Sequence, residues 1–135
     1  MSYTQNMKDE KAPKKRILLP EGMRTSEVIG VIYETAKSGN PMFVFDIKDD
    51  DTGHVDKFYC VDVEGKRGNL KMILDACMVM ADADGNYEWD NPDVIGKKIV
   101  CEIVHEPNEY INRKGETVKG VQHRIAEITT LAWEQ

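Results

Sequence analysis

Leu19-Pro20-Glu21-Gly22, Ser26-Glu27-Val28-Ile29-Gly30-Val31-Ile32-Tyr33-Glu34, Thr35-Ala36-Lys37-Ser38-Gly39-Asn40-Pro41 and Met42-Phe43-Val44-Phe45-Asp46-Ile47 follow one another as two β-rich runs around a polar connector. Gly39 and Asn40 tolerate positive φ. Pro41 fixes its own φ and pushes Asn40 toward extended geometry, so the connector reads as the turn of a hairpin. Gly30 removes a side chain where a strand of a small barrel has to bend sharply. In the second run Phe43, Phe45 and Ile47 alternate with Met42, Val44 and Asp46. Both faces are apolar at its start, which predicts a central strand.

Downstream, Lys48 to His54 carries the Asp and Gly of a second turn, and a third strand runs from Val55 to Val63. Gly65-Lys66-Arg67-Gly68-Asn69 breaks that strand, with Asn69 placed to cap a helix. Leu70, Ile73, Leu74, Cys77 and Ala81 recur at helical spacing and predict one helix over Leu70 to Met80. Asp82 to Asp93 reads as an acidic loop and Lys97 to His105 as a fourth strand. Glu106 to Lys119 is expected to be a long polar hairpin with Asn112-Arg113-Lys114-Gly115 at its tip, before a fifth strand over Val118 to Thr130. The order β-β-β-α-β-β predicts a mainly β, five-stranded OB-fold-like Greek-key barrel with one helix between strands three and four. Closure of the barrel would also leave no apolar strand edge open.

Upstream, residues 1–16 are polar and without periodicity, so a flexible basic arm is expected ahead of a single domain over 17–135. Ile17-Leu18-Leu19 is the apolar tie that docks the arm onto the core. No apolar run approaches the roughly 20 residues of a membrane helix, and the N-terminal stretch lacks the apolar centre of a secretory signal. Cys60, Cys77 and Cys101 form no Cys-x-x-Cys and read as buried free thiols in a reducing cytoplasm. The net charge of −6 disfavours nucleic acid as a partner, but it is unevenly spread. Residues 1–20 hold five Lys/Arg against two acids, and residues 110–124 hold four against one, a local +3 each time. Phosphate binding depends on such local patches.

Leu-Pro-Glu-Gly before the first strand, Thr-Ala-Lys-Ser-Gly-Asn-Pro-Met between strands one and two, and Gly-Lys-Lys-Ile-Val before strand four together resemble a phage and prophage domain-of-unknown-function family. That family is encoded near recombination and replication genes and is similar to OB-fold single-stranded-DNA-binding proteins. The resemblance covers Leu19 to Trp133. It implies a non-enzymatic protein of a bacterial host's cytoplasm that binds single-stranded DNA in replication or recombination. Partners on this reading are single-stranded DNA, phage recombination or replication proteins, and a second copy of the chain. The alternative is an OB-like protein–protein interaction module that binds no nucleic acid.

The residues themselves offer no catalytic constellation and call for no cofactor: Gly-x-Ser-x-Gly, His-Glu-x-x-His and a phosphate loop are all missing. His54, His105 and His123 lie far apart; His105 and His123 can face one another across strands four and five near Cys101, but their spacing matches no zinc signature. They read as polar strand-end histidines, and no metal ligand set is assigned. Asp82, Asp84, Asn86, Glu88, Asp90 and Asp93 follow the rhythm of a calcium loop, yet Tyr87 stands where that loop needs Gly and Asp93 where it needs Glu. A solvated acidic loop is expected, with Trp89 as packing.

Single strands bind where cations track phosphates and aromatic faces stack bases. The OB-fold surface for this is the face of strands two and three with the first and fourth inter-strand loops. On this chain it offers Lys37 in the first loop and Lys57, Tyr59, Lys66 and Arg67 along and after strand three. The fourth loop adds Tyr110, Arg113, Lys114 and Lys119. With Phe58 and Cys60 pointing inward, Lys57 and Tyr59 share the outer face.

Overall fold

The computed structural model describes residues 2–6 and 18–131. Residues 2–6 are exposed and form neither helix nor strand, and the rest of the basic arm lies outside the described residues. The chain runs β1 (Gly22–Thr35), β2 (Pro41–Asp49), β3 (Val55–Val61), α1 (Gly68–Ala76), α2 (Asn91–Val94), β4 (Lys98–Ile111) and β5 (Thr117–Thr130). All strand pairs are antiparallel, and they form one five-stranded sheet in the order β3-β2-β1-β4-β5. β1 pairs with β4 over its first part, Gly22 to Glu27, and with β2 from Ser26 to Thr35, so the two ladders overlap only at Ser26 and Glu27. β3 and β5 are the two edges, and no ladder joins them.

Two bulges keep the apolar residues on one face while the long strands bend. In β1 the register shifts between Val28 and Gly30, leaving Ile29 as the extra residue. Val28 faces in opposite Ile47, and after the bulge Val31 faces in opposite Phe45, while the exposed Tyr33 ring packs on Phe43 at the end of the same row. A Cβ on Gly30 would stand 3.4 Å from an Asp46 carboxylate oxygen, an ordinary van der Waals contact, so the bulge leaves room for a small side chain there. In β5 the shift falls between the partners of Glu102 and Ile103, with Ala126 as the extra residue. The parity change carries Ile128, Ile125 and His123 to the same face, and Arg124 to the other.

The inward residues form a single cluster of Leu19, Val28, Phe45, Ile99, Cys101, Ile128 and their neighbours, completed by Leu70, Ile73 and Leu74 from α1. α1 packs against both edge strands, β3 and β5. The three cysteines are buried and free, and burial pushes the Cys60 and Cys101 thiols up to about 12 and Cys77 to about 11, so they are inert packing groups at neutral pH.

Several expected boundaries change. α1 stops at Ala76 instead of Met80, because Met78 takes a left-handed conformation (φ 68°) and closes the helix with Met78 N–H to Asp75 O and Val79 N–H to Leu74 O. Asn69 is not its N-cap: Arg67 holds that position, and the Asn69 side chain reaches back to the Tyr59 carbonyl at 3.3 Å. A second, one-turn helix, α2, lies inside the acidic stretch, so two helices rather than one separate β3 from β4. Asp90 and Asp93 form its reciprocal capping box. The polar hairpin is strand almost throughout, since β4 continues to Ile111 and β5 resumes at Thr117. Only residues 112–116 turn, around the Asn112 side chain, which accepts from Lys114 N–H and Glu116 N–H.

Candidate nucleic-acid interface

The register places three outward rows across β1, β2 and β3. Gly30, Asp46 and Lys57 form one, Ile32, Val44 and Tyr59 the next, and Glu34, Met42 and Val61 the third. Ile32 and Tyr59 are about half exposed and flank Val44, which is buried between them although it faces out. The middle row is thus an apolar strip ending in an aromatic ring. Phe58 and Cys60 point inward, as the alternation requires. Lys57 sits beside the strip and donates to Asp46 at 3.1 Å; that carboxylate holds the lysine above its ordinary pKa.

Beyond the strip, the other candidate residues fall in three places. Lys66 and Arg67 lie in the β3–α1 loop, where Arg67 pairs with Asp62 at 2.7 Å. Arg67 also lines a cleft of about 680 Å³ with Phe43, Tyr87 and Trp89. Lys37 occupies the β1–β2 turn. Tyr110, Arg113, Lys114 and Lys119 belong to the β4–β5 ribbon, with Lys119 opposite Glu109 and 4.0 Å from its carboxylate. At ~3.3 Å per residue, the tip lies on the order of 30 Å along the ribbon from His123. Lys57 and Tyr59 are therefore adjacent, while the ribbon cations occupy a separate arm. Among the described residues, Lys37, Lys66, Arg113 and Lys114 have no ion pair.

The acidic stretch spends its carboxylates on local structure. Asp82 accepts from the Asp84 and Asn86 backbone N–H groups, and these bonds hold it below its usual pKa. Asp90 and Asp93 cap α2. Trp89 packs on Phe43 and Phe45, with centroids 5.0 and 6.0 Å away, and anchors the segment to the core.

Comparison with known protein families and with curated proteins returns no match for this chain.

One arrangement crosses the open side of the sheet. β3 and β5 both line a cleft of about 370 Å³ that includes Tyr59, Asn69, Met72 and Ile125. Asp56 on β3 and His123 on β5 span its end, with His123 Nε2 at 2.9 and 3.0 Å from the two carboxylate oxygens. His54 Nε2 lies 3.1 Å from the same carboxylate. His105 and His123 do stand opposite one another, but Cys101 does not join them: it is buried in the core. Both histidines instead face the backbone of Leu19. Ile32, Val44 and the Asp56–His123 contact escaped the sequence reading. The i, i+2 spacing of His54 and Asp56 was the available signal for the last of these.

Proposed function

We propose that this chain binds single-stranded DNA without strong sequence preference, coating exposed strands stoichiometrically in replication or recombination. The reading is carried by the outward row Ile32, Val44 and Tyr59 beside Lys57. We read the sheet as an OB-type barrel: the order β3-β2-β1-β4-β5 is that of such a barrel cut between its third and fifth strands. Contact of α1 with both edge strands, and the Asp56–His123 bond between them, support that reading. In this fold the outer face of strands two and three, with the loops after strands one and four, takes oligonucleotides.

On this surface Tyr59 supplies a face for one base, and Ile32, across the buried Val44, supplies apolar area for its neighbour. Lys37, Arg113 and Lys114 supply phosphate contacts from the two loops. Lys57 and Arg67 join only by exchanging Asp46 and Asp62 for phosphate, so they add selectivity for a strand already seated more than they add affinity. With a net charge of −6, long-range steering is weak and binding falls steeply with salt. The phage or prophage setting rests on the resemblance of the turn motifs.

The same paired cations favour a second reading, an interaction module whose apolar strip binds another protein. Fluorescence anisotropy of labelled oligo-dT separates the two. Saturable binding at low salt is the expected result; its absence hands the surface to the protein-binding reading.

A further inference from the structure

We propose that His54, Asp56 and His123 form a binding site for a borderline divalent transition-metal ion, with zinc as the representative, at the seam between β3 and β5. One ligand atom from each residue lies within 4.8 Å of the other two. The imidazole-to-carboxylate separations of 2.9, 3.0 and 3.1 Å are close to those around a common metal. Bonds of ~2.0–2.2 Å in a tetrahedron set donor atoms ~3.3–3.6 Å apart, so the carboxylate and each imidazole have to separate by only a few tenths of an ångström, while the two imidazole nitrogens already lie within 4.8 Å of each other. Two imidazoles and one carboxylate suit zinc or its neighbours, whereas calcium and magnesium need more oxygens.

Sheet pairing does not force these groups together. His54, one residue ahead of β3, and Asp56 within it both approach His123, which is turned inward only because Ala126 bulges out of β5. Their strands are opposite edges of the sheet. A cleft of about 320 Å³ lined by Leu18, Asn108 and Gln122 opens onto all three residues. It leaves room for water as a fourth ligand, the arrangement of an open three-ligand site.

The hydrogen bonds give the site a signature. His123 Nδ1 accepts from Leu19 N–H at 3.2 Å, which places the ring proton on Nε2, donated to Asp56. A metal taking Nε2 moves that proton to Nδ1, where it opposes the Leu19 N–H. Loading therefore breaks this bond, while His105 Nε2–H still holds the Leu19 carbonyl at 2.6 Å. An ion bound elsewhere on the surface would leave Leu19 untouched.

The test is calorimetric titration of the full chain with Zn2+ alone, alongside His54→Ala and Asp56→Asn. The His54 ring hydrogen-bonds Asp56 and packs edge-on against the His123 ring, both outside the core cluster, so its removal spares the core, and far-UV circular dichroism checks the fold. One Zn2+ per chain is expected, weakened at least tenfold in each variant. Hydrogen exchange at the Leu19 amide should accelerate on Zn2+ addition to the wild type and stay unchanged in His54→Ala. No binding at millimolar Zn2+, equal affinity in the variants, or an unchanged Leu19 amide in the loaded wild type would each overturn the proposal.

Discussion

His105 and His123 stand directly opposite each other across β4 and β5, and between them they hold both backbone polar groups of Leu19. One ring donates to the carbonyl and the other accepts from the amide. The Leu19 side chain itself is 2% exposed and belongs to the core cluster. The segment ahead of β1 is thus stitched to the far edge of the sheet by one apolar anchor and two polar ones.

Truncating the apolar anchor should be costly. Leu19→Ala removes a buried side chain from a packed cluster and is expected to destabilise the fold by ~2–4 kcal/mol in urea unfolding. A loss below about 0.5 kcal/mol, the range of surface substitutions, would mean that Leu19 is not anchored as described.

Acid should loosen the fold through Asp49. Arg24 Nε and Nη2 donate to its two oxygens at 2.8 and 3.0 Å, and Thr52 donates from both its backbone and its hydroxyl. The guanidinium bond is the largest cause holding the carboxyl at about 2, against an ordinary value of 3.8. The group's pKa is depressed on folding, so its contribution is complete above pH 3.8 and disappears as pH falls through 2. The difference corresponds to ~2 kcal/mol at 1.36 kcal/mol per unit. Urea midpoints at pH 5 and pH 2 should show a larger drop for the wild type than for Asp49→Asn, which should already be weakened at pH 5.

Helix α1 offers a stabilising change. Met78 occupies the left-handed position that glycine takes most readily, at a conformational cost of ~1–2 kcal/mol. Glycine's freer unfolded chain offsets part of that gain, leaving Met78→Gly more stable by ~0.5–1 kcal/mol. Its half-exposed side chain gives up little packing. A lowered thermal midpoint would show that the Met78 side chain matters more than its backbone.

The two parts of the DNA surface should separate by salt. Arg113→Ala with Lys114→Ala removes two ribbon cations and should flatten the slope of log K against log salt by about 1.4, at ~0.7 per phosphate. Tyr59→Ala should weaken binding by ~1–3 kcal/mol with the slope unchanged, since stacking is not ionic. Equal slopes in the wild type and the double variant would place the phosphate contacts elsewhere.

Local chemistry made much of the fold legible. Gly39-Asn40-Pro41 marks the first hairpin, Gly30 marks the bulge in β1, and Phe58 and Cys60 set Lys57 and Tyr59 outward. The capping box of α2 was written in Asp90, Pro92 and Asp93, but the same carboxylates also match a calcium rhythm, and the spacing alone does not separate the two. The β4–β5 hairpin and its tip at Asn112 to Gly115 were legible, but the length of its strands was not, because a two-stranded ladder bonds through its backbone and needs no apolar alternation. Met78 carries no residue-type signal for a helix end. The bulge at Ala126 has no glycine to announce it, and without that parity change His123 would not face Asp56, 67 residues away. This contact between the two edge strands was the least legible feature.

Residue-resolved titration of the 15N-labelled chain with oligo-dT at low salt locates the bound strand on the sheet. Saturable amide shifts are expected, centred on Ile32, Val44, Lys57 and Tyr59, with a second group at residues 112–116. Shifts confined to other surfaces, or no saturable shifts at all, would contradict the DNA-binding proposal.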